Sequence, residues 1–156
     1  MKPVELDAAD RRLLYAVQKD ASASQADLAE IAGVSASQVS RRLARLKDEG
    51  VLRGIVGLVD PQRAGLTLSA VMRVRLRDHG EENLRLFRDM LDRLPEATLC
   101  VMVTGEADYL MHIVARDLPH FQEIVQSKLL RCAAVAHMES SIVLEVLKDT
   151  TELPLP

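Results

Sequence analysis

Residues 24–50 read SQADLAEIAGVSASQVSRRLARLKDEG, and this stretch decides the N-terminal fold. Two short helical runs flank Gly33. Ser24 with Asp27, and Ser35 with Gln38, have the three-residue spacing of a capping box. Leu28 and Ile31 are the apolar side of the first run; Val39, Leu43 and Leu46 are that of the second. Gly50 ends the second run. Ala29, Gly33 and Val39 fit the spacing of a helix-turn-helix: a small residue for close approach, a glycine for the turn, a valine packed between the helices. Upstream, Asp7 is an N-cap for an earlier helix whose Leu6, Leu13, Leu14 and Val17 share one buried side.

A helix-turn-helix lays its second helix in the major groove of DNA. Here that helix carries Arg41, Arg42, Arg45 and Lys47. At about 100° per residue, Ser37, Gln38, Arg41 and Arg45 project away from the apolar face. The N-terminal residues of such a helix reach base edges, so Ser35, Ser37, Gln38 and Arg41 are the base-reading candidates. Glutamine suits adenine and arginine suits guanine. Arg42, Arg45 and Lys47 lie nearer the phosphates or the helix edge, and Arg42 held by a helix acid is the competing structural role. Ser40 completes the predicted DNA-contact set. Residues 1–50 hold eight Lys/Arg and eight Asp/Glu. A single neutral module binds weakly, so linked copies on one double-stranded DNA are expected.

Residues 51–65, VLRGIVGLVDPQRAG, read as an extended linker strand ending in a Pro/Gly turn. Its Ile55, Val56, Leu58 and Val59 call for a packing partner such as a second copy. From Leu66 the period changes to two. Leu68, Ala70, Met72, Val74 and Leu76 alternate with Ser69, Arg73, Arg75 and Arg77, which predicts a strand. A helix over 81–94 should bury Leu84, Phe87 and Leu91. Two strands, TLCVMVTG and DYLMHIVA, meet at the loop Gly105, Glu106, Ala107, Asp108. A second helix over 118–130 carries Phe121, Ile124, Val125 and Leu129, and a last strand runs over 134–147. The order βαββαβ is the ferredoxin-like plan. The fold class is therefore α+β: a winged-type helix-turn-helix at 1–50, a linker and hinge at 51–65, and a ferredoxin-like domain at 66–156. Several strands are apolar on both faces, and a sheet with helices on one face should be polar on the other. At least a homodimer is expected.

The chain is 48% hydrophobic and 28% charged, with net charge −3. DNA affinity must then come from a local patch. Aromatic residues are 3%, with no Trp, which disfavours single-strand binding by base stacking and a large aromatic cofactor pocket. Cys100 and Cys132 lack nearby ligand partners and read as buried free thiols. His79, His112, His120 and His137 are scattered, with no pair at ligand spacing; His112 and His137, which could face a subunit interface, read as structural. No metal and no cofactor are expected. The N-terminus lacks the apolar core of a signal peptide, and no run is long enough for a membrane span, so a cytoplasmic location is expected.

The whole chain resembles the Lrp/AsnC (feast/famine) family of transcription regulators. Four segments carry the likeness: residues 6–54, with the helix-turn-helix and exit strand; VDPQRAGL, like the hinge; VTGEADYLMHI, like the glycine loop of the effector domain; and SSIVLEVLKDTTELPL, like the last strand and tail. The family often has an aromatic residue where this chain has Ile55, and a second acidic or aromatic residue where it has Ala107. In the loop, Gly105 permits a conformation that exposes N–H groups to a carboxylate. Asp108 could accept from an ammonium; a plain hairpin turn is the alternative. The resemblance implies that an amino-acid effector sits at this loop, between subunits. It further points to Met102 and Thr104 before the loop, and to Ala136 and Ser140 on the last strand. An octamer is implied by the resemblance alone.

The expected function is thus a sequence-specific DNA-binding regulator whose oligomer responds to a small molecule, and not an enzyme. Two other functions fit the same plan. Siroheme decarboxylases resemble it, but they need a basic, His-containing tetrapyrrole pocket, and this chain has no His cluster. An architectural DNA-wrapping protein would bind with a steep salt dependence and no preferred site.

Overall fold

In a computed structural model, which describes residues 3–155, Asp7, Ser24 and Ser35 each open a helix. These are α1 (Ala8–Lys19), α2 (Gln25–Ala32) and α3 (Ala36–Asp48). The ends of the two predicted domains, residues 1–2 and 156, lie outside the described residues. All three helices carry a reciprocal capping box. In the third, the Gln38 N–H donates to Ser35 Oγ at 3.3 Å while the Ser35 N–H donates to Gln38 Oε1 at 3.0 Å. Each box satisfies two of the N–H groups that a helix start leaves without partners.

Gly33 closes α2 in the left-handed conformation at φ 69°, its N–H donating to Ala29 O. That geometry favours glycine and makes the turn into α3. Arg12 of α1 donates to the Ala32 carbonyl at 2.7 Å, satisfying the end of α2. Leu13, Val17, Leu28, Ala32 and Val39 form the core of this module, with Leu43 packed against it. Ile31, expected inside, is 50% exposed. Leu28 and Ala32, one turn apart, set the buried line of the short α2, and Ile31 lies one position off it.

The chain divides into two compact units. One holds the residues up to Leu58 and those from Lys148 onward; the other is Val59–Leu147. In the first unit the tail returns to α1: the Leu153 N–H donates to Gln18 Oε1 at 2.7 Å, and the Leu155 N–H to the Tyr15 hydroxyl at 3.1 Å. The predicted linker strand forms no ladder among the described residues, and Ile55, Val56, Leu58 and Val59 are exposed.

The second unit follows the expected βαββαβ order: β1 (Leu68–Leu76), α4 (Glu81–Asp92), β2 (Ala97–Met102), β3 (Tyr109–Ala115), α5 (Leu118–Ile124) and β4 (Val135–Ile142). All pairings are antiparallel in the order β2-β3-β1-β4. Ala70, Met72, Val74 and Leu76 of β1 join Met111, Ile113, Phe87, Phe121, Ile124 and Leu129 in one core. The helix over 118–130 is not uniform, because α5 passes into a π-helical turn at Val125–Leu129. There the Ser127 hydroxyl donates to the Glu123 carbonyl one turn back, a bond that competes with the α-helical ladder. The last strand ends at Ile142 rather than near Leu147. The Val143 N–H still donates to Ser69 O near the start of β1, and Leu144 and Leu147 beyond it are exposed.

The other face of the sheet is divided. Register places Leu99 of β2 opposite His112, Val101 opposite Leu110, and Val71 of β1 opposite His112 on the other side. Leu99, Val101 and Val71 are exposed. Toward β4, the same face carries Arg73 opposite Glu139 and Arg75 opposite His137. The doubly apolar sheet expected from the sequence is therefore apolar over β2 and β3 and charged over β1 and β4.

Candidate DNA-binding helix and effector loop

On α3 the eight candidate side chains separate by what they touch. Ser35, Ser37 and Gln38 are tied into the N-cap: Ser35 Oγ lies 3.1 Å from Ser37 Oγ, and Gln38 Oε1 is taken by the Ser35 N–H. The Gln38 amide NH₂ has no hydrogen bond of its own in the cap, so it remains a donor. The Ser40 hydroxyl donates to Gln25 Oε1 of α2 at 2.6 Å. Arg41 and Lys47 are exposed, and among the described residues neither has an ion-pair partner.

Arg42 and Arg45, expected nearer the phosphates or the helix edge, are ion-paired within the module, which for Arg42 is the competing role. Arg42 donates to Asp7 Oδ2 and to Asp10 Oδ1, both at 2.7 Å. Arg45 donates to Asp10 Oδ2 at 2.6 Å and lies 3.4 Å from Glu49. Asp10 is only 1% exposed. A buried carboxylate needs countercharge, and these two guanidiniums on α3 provide it. Burial alone would push the Asp10 carboxyl up, but the bonds from Arg42, Arg45 and the Asp7 N–H outweigh it, and the group stays below the usual carboxylate range. The Asp10 N–H and the Arg42 guanidinium hold Asp7 at about 2. Sequence reasoning weighed an acid against Arg42 but did not single out Asp10, one of eight acids in residues 1–50.

In the second unit, Gly105 adopts φ 119° in the loop between β2 and β3. Asp108 does not project freely from that loop. Its Oδ2 accepts the Leu76 N–H at 2.8 Å, and its Oδ1 lies 3.2 Å from His79 Nε2. Arg75 clamps the loop with two bonds to the Glu106 carbonyl, at 2.8 and 3.0 Å. Met102, Thr104 and Ala107 line an open depression of about 730 Å³ together with Arg73, Glu106 and Leu110. Arg73 and Glu106 were not among the sequence candidates. Arg73 reads in sequence as one of an alternating stripe, and only register shows which end of the sheet it occupies.

Ala136 and Ser140 lie on β4. Strands β2 and β4 are the two edges of the sheet, with β3 and β1 between them. At about 4.8 Å per strand step, they are roughly 14 Å apart. The Gly105 loop, however, crosses to β1, where Asp108 accepts from Leu76 and Arg75 holds Glu106. Ala136 lies beside that end of β1, between His137 opposite Arg75 and Val135 opposite Leu76; Ser140, opposite Met72, lies further along the strand. The remaining arginines of the β1 stripe are used internally: Arg73 lies 3.4 Å from Glu139, and Arg77 donates to the Ala133 carbonyl at 2.8 Å. His112 is held between Ser69 Oγ and Thr98 Oγ1, each at 2.6 Å. Among the described residues no group of three His, Cys, Asp or Glu could hold a metal, and no helix is long and apolar enough to cross a membrane.

A capped helix-turn-helix joined in one chain to a ferredoxin-like domain defines a DNA-binding regulator with a separate sensing or assembly domain. Residues 6–53 match the winged helix-turn-helix DNA-binding domain, and residues 69–153 match the Lrp/AsnC ligand binding domain. The chain belongs to the Lrp/AsnC family of transcriptional regulators. It is 33% identical over 150 residues to the DNA-binding transcriptional activator DecR of Escherichia coli, covering 96% of this chain and 99% of that protein. It is 32% identical to the leucine-responsive regulatory protein of Rhizobium meliloti, covering 97% of each. The crystal structure of a Neisseria meningitidis transcriptional regulator in complex with L-Met superposes with a TM-score of 0.91 at 33% identity, covering 96% of this chain and 97% of that one.

Proposed function

We propose that this regulator binds operator DNA through α3 as a homo-oligomer, at least a dimer, whose assembly responds to an amino acid. In this reading residues 1–50 bind DNA, 51–65 link, and 66–156 bind effector and hold copies together. Ser37, Arg41 and the free Gln38 amide contact bases; Lys47 contacts phosphate; Ser35 and Ser40 orient the helix. The protein acts in the cytoplasm and catalyses no reaction.

The observation that carries the effector assignment is the pairing of opposite charges at one depression. Arg73 and Glu106 line it with Met102, Thr104 and Ala107. A guanidinium suits the α-carboxylate of an amino acid, and a carboxylate suits its ammonium. Gly105 and Asp108 set the loop backbone. Ala136 and Ser140 belong to the same effector site, which lies between copies and so couples ligand occupancy to assembly. The complex of the Neisseria relative with L-Met supports this class of ligand.

The test is thermal denaturation of the whole protein with each amino acid in turn. A ligand bound only by the folded form raises the transition temperature. One amino acid, or one chemical group of them, should do so at millimolar concentration. No shift with any of them removes the effector assignment and leaves DNA binding untouched.

A further inference from the structure

Arg41 and Arg45 lie four residues apart, one turn along the same side of α3. A duplex that meets Arg41 therefore has a phosphate within reach of this side of the helix. Arg45 nevertheless turns to Asp10, and Arg42 turns to Asp10 and Asp7. Neither guanidinium is deeply buried, since the side chains are 40% and 25% exposed. Two cations at a DNA-facing surface are thus neutralised from within by acids of α1.

We propose that Asp10 and Asp7 are specificity-determining residues: they hold Arg42 and Arg45 off the phosphate backbone and so suppress sequence-independent binding. Phosphate contacts carry affinity without sequence information, whereas base contacts carry the discrimination. Withholding two phosphate contacts lowers affinity for every sequence and leaves the share contributed by Ser37, Gln38 and Arg41 intact. It also accounts for a DNA-binding module with equal numbers of basic and acidic residues. The inference rests on α3 facing the duplex.

The experiment uses the full chain and measures binding to an operator and to an unrelated duplex across a salt series. The variants are Asp10→Asn and Asp7→Asn, which remove one charge each and retain an acceptor oxygen. Asp20→Asn is the charge-matched control, since Asp20 bonds to Ser22 and to no arginine. Each guanidinium that reaches a phosphate steepens the log–log salt slope by about 0.9. Asp10→Asn should steepen it by up to about 0.9, because Arg45 is released while Arg42 keeps Asp7, tighten binding to the unrelated duplex, and lower the specificity ratio. Adding Arg45→Gln to Asp10→Asn should return the slope to the wild-type value.

If Asp10→Asn does not fold, the half-exposed Asp7 decides, with an expected steepening of up to about 0.9. Unchanged slopes in folded variants, or an equal change in Asp20→Asn, overturn the proposal. Arg41→Ala separates it from its premise. If α3 does not face DNA, Arg41→Ala leaves affinity unchanged. If only the inference fails, Arg41→Ala weakens operator binding while the aspartate variants keep the wild-type slope.

Discussion

The Asp10 carboxylate on α1 lies 2.7 Å from the Arg42 guanidinium on α3, across 32 residues of sequence. With Arg45 on its other oxygen, it ties the first helix of the module to the third. Arg42→Ala should therefore destabilise the helical unit. Arg42 is itself 25% exposed and Arg45 remains on Asp10, so the loss should be smaller than that for breaking a fully buried pair. Chemical denaturation followed by helical circular dichroism measures it. A loss within a few tenths of a kcal/mol would mean that Arg45 alone satisfies Asp10.

Acid should loosen the same connection. Folded Asp7 titrates at about 2 against its ordinary 3.8, and Asp10 is shifted the same way. Both bind fewer protons folded than unfolded at intermediate pH. Their contribution is complete above the unfolded value and is lost as pH falls through the folded values, which for Asp7 means from about 4 down to about 2. Asp7→Asn should be less stable than wild type near neutrality and should lose less on acidification. Parallel acid-unfolding profiles for the two proteins would contradict this.

Gly33→Ala tests the turn between α2 and α3. The position has φ 69°, and an added Cβ meets only Arg12 at 3.7 Å, so the penalty is conformational rather than steric crowding. An L-residue in that region costs about 1–2 kcal/mol. The helical unit should lose that much stability in a denaturant titration. A neutral substitution would show that the turn tolerates a side chain.

Arg73→Gln should abolish the thermal shift produced by the stabilising amino acid and leave binding of a single DNA site unchanged. Arg73 lines the loop depression, and its link to Glu139, at 3.4 Å between exposed side chains, contributes little to the fold. A variant that keeps the full ligand shift would place the effector elsewhere.

Val101→Glu should dissociate the copies. Val101 is 39% exposed on the apolar half of the open sheet face, beside Leu99. A carboxylate buried there without a partner opposes association. Sedimentation should report a smaller species than wild type. An unchanged assembly would mean that this half of the sheet stays in solvent.

Much of the helical module was legible in the sequence because its determinants are local. Capping boxes at Ser24 and Ser35 span three residues, and Gly33 makes a turn that only its own backbone requires. The strands were legible for the same reason: alternation in Leu68, Ala70, Met72, Val74 and Leu76 names a buried face within nine residues. Extent was less legible where it depends on a partner. The last strand stops near the start of its partner β1, and α5 passes into a π turn at Ser127.

The sequence by itself determined which residues could serve: a helix with four basic side chains, a glycine loop, and a period that changes at Leu66. Only the tertiary structure decided which of them are free to serve. Arg42 and Arg45 are drawn inward because Asp10, distant in sequence, is buried and needs countercharge. Ala136 comes near the Gly105 loop because β1 pairs with β4 and also holds Asp108. Local patterns follow from backbone geometry and the period of an element. Charge pairing and strand order depend on which distant segments meet, and no spacing along the chain encodes that.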